Sequence, residues 1–565
     1  MRRLLAACLV LLIVAPAVRA AEPARATKYM AVTANPLATE AALKALRAGG
    51  SAIDAAIAAQ MVLTLVEPQS SGIGGGAFLV HFDKKAGRTA SYDGRETAPA
   101  AARPDRFLDK DGKPLSYFDA VVGGRSVGVP GTLRVLELAH RQHGKLPWGS
   151  LFDDAIRLAE EGFPVPPRLA RALTREKHLT QEAARAYFYK PDGKPWKQGE
   201  LLRNPALADT LRLVAKQGAE AFYTGAIAED IVATVANAPR NPGDLTLADL
   251  AGYQAKERPA VCGSYRARTV CGMGPPSSGG LTVLMVLGML ERFDLPNEKR
   301  LSSNAAHWML EAQRLAYADR NLYIADSDFV DVPVDGLLDR RYLADRAAQI
   351  DVASSSGEKA EAGDVPRKRT QNFGPDNALQ LPATSHLSIV DGAGNALAMT
   401  TTIEAAFGSR LMVRGFLLNN ELTDFSFRPE VDGLPVANRV EGGKRSRSSM
   451  SPTLVFGKDG RLEFVTGSPG GSQIINYVLK TIVGVVDWGL DPQAAIELPN
   501  ISNRNGPSEI ERRADADALA SSLAARGHKV ERSLLVSGLQ AIQILPDGTL
   551  LGGADPRRDS LAAGD

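Results

Sequence analysis

The sequence predicts a mixed α/β (α+β) fold, and three observations lead to that class. A helical pattern begins after Asn35 and continues, with a break at Gly49-Gly50, to Val66. An apolar strand pattern over residues 77–82 follows it directly. Strand pairs and further helices then occur to the end of the 565-residue chain, in which 44% of residues are hydrophobic. Such a chain can bury a large core, as one large or two mid-sized units.

The first twenty residues are predicted to form a secretory signal peptide. Arg2 and Arg3 precede an apolar run, and a small-residue cleavage site ends at Ala20. An acylation box ending at Cys8 is set aside because its leader would be too short to hold a full apolar region. No other stretch approaches the ~20 apolar residues that span a bilayer. The mature protein is expected to begin at Ala21, without a membrane partner, and to be exported to the periplasm or secreted.

The charge balance gives no support to a nucleic-acid partner. The whole chain has 66 basic and 64 acidic residues, a formal charge of +2. Removal of the leader takes away three arginines and no acids, which leaves 63 basic against 64 acidic residues, a formal charge of −1. Nucleic acids and anionic membranes bind basic surfaces, so neither is an expected partner.

Two consecutive helices are predicted near the N-terminus. Pro36 occupies a first-turn position, and Ser51 with Asp54 forms a capping box that begins an alanine-rich helix ending at Val66. That helix is apolar on nearly every face, which predicts its burial. The glycine-rich residues 72–76 lack the Lys-Ser/Thr of a phosphate loop, and helix precedes strand there, the reverse of a P-loop. A close-packed backbone turn is expected instead.

The stretch GRSVG at residues 124–128 matches the G-x-S-x-G nucleophile elbow. In that motif a helix begins directly after the serine. Here Pro130 and Gly131 intervene before the helical pattern of residues 132–140. A Ser-His-Asp hydrolase that uses Ser126 is therefore not expected.

Two cysteines remain after the leader, and they flank a predicted tight hairpin. A disulfide between Cys262 and Cys271 is one expectation in an oxidising compartment, and two half-buried thiols are the other. His140 and His143 are the close histidine pair, and they fall at a predicted helix end, where cationic residues are ordinary. Neither a metal nor a cofactor is expected.

The second half of the chain alternates between helices, a loop and hairpins. A long helix is predicted over residues 307–324, and the segment rich in serine, glycine and charge at 351–380 is expected to be an exposed, flexible connector. A hairpin follows, with strands at 386–390 and 396–400. The remaining predictions are a strand at 462–466, a helix at 473–486, and a C-terminal helix and hairpin, the latter around 546–548.

Thr384 stands where the connector meets the first hairpin strand. A threonine hydroxyl is a poor nucleophile without a base, and its own α-amino group can be that base only if the chain is cut before it. Taken alone, this threonine is better explained as a structural residue. Residues 467–472, however, lie between a strand and a helix, where backbone N–H groups can form an oxyanion hole. Residues 419–424 and 447–449 add carboxylates and hydroxyls suited to a zwitterion.

Ten stretches, in the same order, resemble the γ-glutamyltransferase family of N-terminal-nucleophile hydrolases over nearly the whole mature chain. They are SGIGGGAFLV, DGRETAPA, SVGVPGT, PPSSGG, EAQRLAYADR, ATSHLSIVD, LLNNELTDFS, SSMSPT, GSPGGS and ADPRRD. The resemblance implies a four-layer α/β/β/α sandwich and a precursor that cuts itself between Ala383 and Thr384. A large chain of residues 21–383 and a small chain of residues 384–565 would then form a heterodimer.

The resemblance also implies catalytic roles. Thr384 matches the nucleophile and Thr402 matches the threonine that hydrogen-bonds it. Gly470 and Gly471 match the oxyanion glycines. His386, two residues after the nucleophile on the same strand face, is expected to be structural.

Substrate binding is implied for a charged set of residues. Arg95 matches the arginine that pairs with the substrate α-carboxylate, and Ser448 and Ser449 match the serines that assist it. Glu421 and Asp424 match the residues that hold the α-ammonium group. An arginine fork suits a carboxylate and a pair of acids suits an ammonium group, so the chemistry agrees with the resemblance.

Two positions depart from the family pattern. Glu404 stands where better-known members have an asparagine that contacts the α-amino group, and Thr423 replaces an acid beside Asp424. The extra carboxylate of Glu404 could tighten ammonium binding or could be a solvated loop acid, since most acids are exposed.

The implied activity is cleavage of γ-glutamyl amides such as glutathione through a threonyl acyl-enzyme, with transfer to water, an amino acid or a peptide. The rival within the fold is a cephalosporin or glutaryl acylase, whose substrate lacks the ammonium group. Glu421 and Asp424 argue against it, because unpaired carboxylates facing an uncharged methylene chain would be costly. Intact Thr384 and Thr402 argue against the other alternative, a binding or scaffolding protein without activity.

Overall fold

Two seven-stranded sheets form the centre of the molecule. The computed structural model describes residues 21–366, 372–376, 378 and 380–565, so the predicted signal peptide, with Cys8, lies outside the described residues. Neighbouring strands are antiparallel throughout both sheets. The two sheets contact each other through the strands that follow Thr384 and the strand Leu462–Gly467.

We call the sheet that contains the hairpin after Thr384 sheet I, and the other sheet II. In spatial order, the strands of sheet I are Leu561–Gly564, Met30–Thr33, Ser385–Val390, Ala396–Thr402, Gly76–Asp83, Arg88–Gly94 and Lys256–Arg258. Those of sheet II are Ala24–Ala26, Leu550–Ala554, Gln540–Ile544, Leu462–Gly467, Thr453–Phe456, Arg268–Gly272 and Val261–Tyr265.

Helices cover the outer face of each sheet. Over sheet I lie Pro36–Arg47, Ala52–Val66, Thr132–His143, Asp153–Glu161, Pro167–Arg175, Glu182–Phe188, Pro205–Gln217, Glu220–Tyr223, Gly225–Ala236 and Leu247–Gly252. Over sheet II lie Gly279–Leu290, Ser303–Tyr323, Val334–Leu337, Arg340–Ala347, Ile474–Val486, Pro492–Glu497 and Asp517–Ala525. The short helix Tyr117–Val121 carries the Tyr117 hydroxyl, which bonds Glu404. The predicted α/β/β/α sandwich is confirmed. Among the described helices, none combines the length and apolar character needed to cross a membrane.

In the sheet I hairpin, successive side chains point to opposite faces of the sheet. Leu387 and Ile389 pack with the outer helices, whereas Ser388 faces sheet II and its Oγ donates to the carbonyl of Gln540 at 3.1 Å. In the hairpin, His386 lies opposite Thr400. The predicted strands are therefore present, and they run from Ser385 to Val390 and from Ala396 to Thr402.

The N-terminal helices begin where their caps predict. The Asn35 side chain accepts a bond from the Leu37 amide at the start of Pro36–Arg47. Ser51 and Asp54 form the predicted capping box, and all residues of the Ala52–Val66 helix are buried. Burial on every side explains why that helix carries no polar stripe.

Close contacts test the interpretations of two motifs, the glycine-rich turn at residues 72–76 and the GRSVG stretch. A Cβ on Gly75 would lie 1.9 Å from the Thr402 carbonyl oxygen, and one on Gly74 would lie 2.1 Å from that of Leu417, so this turn is close-packed as predicted. Ser126 is buried in a 3-10 turn, where its Oγ donates to the Val121 carbonyl at 2.6 Å. A nucleophile elbow is thereby excluded.

The predicted hairpin around the two cysteines is present, with strands Val261–Tyr265 and Arg268–Gly272. Cys262 lies directly opposite Cys271, their Cα atoms are 4.1 Å apart, and their sulfur atoms are joined. The structure therefore contains the disulfide rather than two thiols.

Two parts of the sequence interpretation were wrong. The end of the connector is not exposed: Asp376 is buried and pairs with Arg447 at 2.7 Å, and Gln380 is also buried. The C-terminal part has more than a helix and a hairpin, because a separate sheet of Ile501–Asn503, Ser508–Glu511 and Val530–Ser533 is present. Strands this short contain too few residues for a recognisable alternation.

Candidate active site

One cavity gathers the residues that the sequence predicted for catalysis and substrate binding. Nine of those ten residues line it, and the tenth, Gly470, precedes the lining Gly471. The complete lining is Arg95, Gln380, Leu381, Thr384, Thr402, Glu404, Glu421, Asp424, Ser448, Ser449, Met450, Gly471 and Ile474. These residues come from distant parts of the chain, so the site is a product of the fold.

Thr384 lies at the start of its strand with its hydroxyl held in place. Its Oγ1 is 3.0 Å from Oγ1 of Thr402, which also accepts a hydrogen bond from the Glu404 amide at 2.9 Å. Thr384 has a φ of +75°, a left-handed conformation that a β-branched residue rarely adopts. Strain of this kind costs roughly 1–3 kcal/mol and is concentrated at functional sites.

The glycine turn has the conformation that only glycine adopts readily. Gly470 has a φ of +143° and Gly471 a φ of +60°, and a short 3-10 turn over Gly471–Gln473 leads into the predicted helix. A Cβ on Gly471 would lie 2.8 Å from the carbonyl oxygens of both Gln380 and Leu381. The end of the connector therefore occupies the part of the cavity beside the predicted oxyanion glycines.

Arg95 is buried between two carboxylates. Its Nη1 bonds Glu421 and its Nη2 bonds Asp424, while Nε donates to the Ser446 carbonyl at 3.1 Å. The arginine and the two acids, predicted to hold opposite ends of a substrate, thus pair with one another here. Oδ1 of Asp424 is buried and, within the described residues, has no hydrogen-bond partner.

The cavity carries more acids than Arg95 can neutralise. Burial raises the pKa of Glu421 to about 7 and also raises the pKa of Asp424, although Arg95 opposes both effects. Burial and the nearby Glu421 raise the pKa of Glu96 well above its usual range. Sequence reasoning missed Glu96, and its position directly after Arg95 was the available signal.

Glu404 is part of the cavity and is not a solvated loop acid. It is buried, has a φ of +73°, accepts a bond from the Tyr117 hydroxyl at 3.2 Å and is bonded by the Asn420 amide. Burial raises its pKa well above the usual value, and the charges of Asp424 and Glu421 add to that effect. Both effects therefore favour the protonated form of Glu404 in the folded chain.

The serine pair is held by residues that sequence reasoning did not single out. Ser449 Oγ accepts a bond from Arg320 Nη2 at 2.7 Å and donates to the Gln380 side chain at 2.6 Å. Ser448 Oγ accepts a bond from the Met450 amide at 3.1 Å. Arg320 and Gln380 carry no local signal, because their contacts with Ser449 span 129 and 69 residues.

His386 has a structural environment, in agreement with the expectation. Its Nδ1 is 2.9 Å from Thr400 Oγ1 and its Nε2 is 3.1 Å from Ser388 Oγ. Burial lowers the pKa of His386 to about 3, so the ring is neutral at physiological pH. A Cβ on Gly467 would lie 2.2 Å from the imidazole, which shows how closely the ring packs.

Within the part of the chain that the structure describes, metal-ligand residue types meet at a place away from the cavity. His307, Glu311 and His528 are buried together. His307 Nδ1 is 2.7 Å from His528 Nε2, and Glu311 pairs with Arg314 at 2.6 Å. These polar atoms are already engaged with each other and with an arginine, which indicates a structural cluster.

Comparison with known proteins places the chain in a family. Residues 38–565 match the model of the family described as Gamma-glutamyltranspeptidase. The chain belongs to this family. It is similar to the glutathione hydrolase proenzyme of Escherichia coli (strain K12), at 38% identity over 557 residues that cover 96% of this chain and 93% of that protein. It is also similar to the Acylase ACY 1 proenzyme of Pseudomonas sp. (strain SE83), at 35% identity, with 95% and 94% covered.

Solved structures of similar proteins have the same fold as this chain. A cephalosporin acylase from Bacillus halodurans superposes with a TM-score of 0.84 at 28% identity and covers 99% of both chains. The Helicobacter pylori gamma-glutamyltranspeptidase superposes with a TM-score of 0.55 at 37% identity, and covers 57% of this chain and 91% of its own. The predicted family and fold class are therefore confirmed.

Proposed function

We propose that this protein is an exported, self-processing enzyme that cleaves γ-glutamyl amides such as glutathione and transfers the γ-glutamyl group to water, amino acids or peptides. The observation that carries the proposal is the unpartnered Oδ1 of Asp424, beside Arg95 and in the same cavity as Thr384. Asp424 can bind the α-ammonium group of the substrate while Arg95 binds its α-carboxylate. The relatives named glutathione hydrolase support this choice of substrate.

The proposed reaction has two half-reactions at Thr384. Its Oγ1 attacks the substrate amide carbonyl, the amine leaves, and a γ-glutamyl ester forms on Thr384; the acceptor then attacks that ester and releases the enzyme. The base is the α-amino group that a cut before Thr384 would free. Gly470 and Gly471 are proposed to stabilise the oxyanion.

The uncut chain is expected to be inactive for two reasons. Its nucleophile has no free α-amino group, and the carbonyl oxygens of Gln380 and Leu381 lie against Gly471. Cleavage between Ala383 and Thr384 would supply the base and allow residues 380–383 to leave the cavity. The word proenzyme in the names of relatives supports this processing step.

Self-cleavage is tested by the sizes and ends of the purified chains. Wild-type protein should give fragments of 363 residues (383 minus the leader of 20) and 182 residues (565 minus 383). N-terminal sequencing should begin at Ala21 and Thr384, and cell fractionation should find both fragments outside the cytoplasm. Thr384→Ala should remain one inactive chain. A small fragment that begins elsewhere would remove Thr384 as the nucleophile.

A second candidate function, a glutaryl or cephalosporin acylase, is favoured by a specific observation. Glu421 and Asp424 are not a pair of unpaired carboxylates, because both bond Arg95. The cost that argued against an uncharged substrate is therefore reduced. The similarity to an acylase over 99% of the chain supports the same candidate.

Asp424→Asn separates the two candidates because it keeps the side-chain shape and removes the charge. Activity on γ-glutamyl-p-nitroanilide should fall about 30-fold or more, since loss of one partner of a buried charge pair costs about 2 kcal/mol or more. Activity on a glutaryl amide, which has no ammonium group, should hold or rise. Asp487→Asn, a buried acid paired with Arg266 away from the cavity, is the control. A wild type that prefers glutaryl amides would support the acylase.

A further inference from the structure

A buried arginine contacts the peptide bond at which the chain is expected to cut. Nη1 of Arg558 donates to the Thr384 carbonyl oxygen at 2.9 Å, and Nη2 donates to the Ala383 carbonyl oxygen at 3.4 Å. Nε donates to the Ser537 carbonyl at 3.2 Å. The Ala383 carbonyl is the group that Thr384 would attack in self-cleavage.

Arg558 is a buried cation that is not neutralised by direct pairing. Arg558 is 6% exposed, and within the described parts of the chain no carboxylate lies at ion-pair distance from its guanidinium. Burial, together with the like charge of Arg168, lowers the pKa of Arg558 to about 9, which still leaves the guanidinium charged at pH 7. Burying a charge without a partner is costly, so packing alone is a weak reason for an arginine here.

The surrounding chain leaves room for this side chain. A Cβ on Gly538 would lie 2.5 Å from Cδ of Arg558 and 2.6 Å from Cγ of Pro469. Any larger residue at position 538 would therefore displace the arginine stem or the Pro469 ring. The space at Gly538 and the two carbonyl contacts together fix the direction of the guanidinium.

We propose that Arg558 is a catalytic residue of self-cleavage, which binds the Ala383 carbonyl oxygen and stabilises the negative charge that develops on it. This inference rests on the proposed function, because it requires the cut before Thr384. In the first step Oγ1 of Thr384 bonds to the carbonyl carbon of Ala383, the C–N bond breaks, and the hydroxyl proton passes to the leaving nitrogen. Water then hydrolyses the ester, leaving a carboxylate on Ala383 and a free amine and hydroxyl on Thr384.

The geometry suits a group that acts as charge develops. The bond to the Thr384 carbonyl anchors the guanidinium, and the longer 3.4 Å contact can shorten as the attacked C–O bond lengthens and its oxygen becomes negative. In the uncut chain, the atoms nearest to a Cβ on Gly471 belong to the Gln380 and Leu381 carbonyls. Self-cleavage and amide cleavage would thus use different oxyanion groups around one nucleophile.

The test measures the rate of self-cleavage of purified full-length precursor on denaturing gels. Removal of one oxyanion donor costs about 10²–10³ in rate, so Arg558→Ala should cut about 100-fold or more slowly than wild type. Arg558→Lys should be intermediate, because it keeps the charge and loses the fork. Methylguanidine should accelerate Arg558→Ala by refilling the site. Circular dichroism and thermal melting establish that each variant is folded.

Arg346→Ala is the control. Arg346 is a buried guanidinium that also donates to two backbone carbonyls, those of Leu315 and Glu361, away from the cavity, and unlike Arg558 it also pairs with Asp319 at 3.1 Å. It should lose stability but cut at close to the wild-type rate while folded.

Three outcomes would overturn the inference. Arg558→Ala could cut within about threefold of wild type, or Arg346→Ala could slow equally, or methylguanidine could fail to accelerate Arg558→Ala. If Arg558→Ala does not fold, a wild-type rate in Arg558→Lys overturns it and a rate at least tenfold lower supports it. A wild type that does not cut before Thr384 refutes the proposed processing as well, whereas a normal cut in both Arg558 variants refutes this inference alone.

Discussion

At the residue scale, Arg95 determines the charge of the candidate active site. Its guanidinium bonds Glu421 and Asp424 at once, and all three side chains are buried. Removing one partner of such a group leaves a buried charge unpaired, which costs about 3–5 kcal/mol. Arg95 is therefore expected to affect both stability and substrate binding.

Arg95→Lys is expected to lower kcat/KM on γ-glutamyl-p-nitroanilide at least tenfold, because an ammonium group keeps the charge but cannot form a fork with a carboxylate. A bond to a charged group contributes about 1.5–3 kcal/mol. Self-cleavage should continue. Arg314→Lys, which changes a buried arginine paired with Glu311, should lower the melting temperature without this effect on kcat/KM. Unchanged kcat/KM in Arg95→Lys would exclude Arg95 from substrate binding.

The sequence predicted those features whose causes lie within a few residues. The helix Ala52–Val66 begins as expected because its capping box is contained in four residues. The roles of Thr384 and Arg95 were inferred from the resemblance to the γ-glutamyltransferase family, which matches residues by their position in the sequence. Neither source predicts that Arg95 pairs with the two acids, or that Gln380 reaches Ser449, because both depend on burial and on contacts far apart in the chain.

At the scale of elements, the disulfide fastens an edge of sheet II. Among the described strands, Val261–Tyr265 is the last in that sheet and pairs with Arg268–Gly272 alone. An edge strand has one row of unpaired backbone groups and is more easily detached than a central strand. A covalent link between Cys262 and Cys271 keeps this strand attached to the sheet.

Replacing both cysteines by serine is expected to lower the free energy of unfolding by up to about 3 kcal/mol, the entropic value for a short closed loop. Activity should be retained, because neither cysteine lines the cavity. Thermal melting checks the first statement and γ-glutamyl-p-nitroanilide release the second. Dithiothreitol should lower the melting temperature of wild type and leave the double variant unchanged. If the reductant has no effect on wild type, the disulfide does not contribute to stability.

At the scale of the whole molecule, folding concentrates acids around one guanidinium. Glu96, Glu421 and Asp424 are buried around Arg95, Glu404 is buried in the same cavity, and burial raises the pKa of each. The folded chain therefore holds protons that the unfolded chain releases. Stability contributed by such groups falls as pH rises above their unfolded pKa values, because the unfolded state then binds fewer protons than the folded state.

Glu404→Gln tests this linkage, because glutamine keeps the shape of the protonated acid and does not titrate. The pKa of Glu404 is raised in the folded chain, so ionisation favours the unfolded state as pH rises above about 4.5, by up to about 1.4 kcal/mol per pH unit for one proton. In the uncut Thr384→Ala background, Glu404→Gln should therefore raise the melting temperature more at pH 8 than at pH 5.

Glu311→Gln is the control of opposite sign. Burial acts to raise the pKa of Glu311, but the bond and charge of Arg314 together with the bonds from Ser355 and Ser356 outweigh burial and keep that pKa below the usual value. A lowered pKa stabilises the folded chain above the unfolded pKa, so Glu311→Gln should lower the melting temperature more at pH 8 than at pH 5. If both substitutions shift the melting temperature in the same direction with pH, the cavity does not hold Glu404 protonated, and its carboxylate is charged and available to a substrate ammonium group.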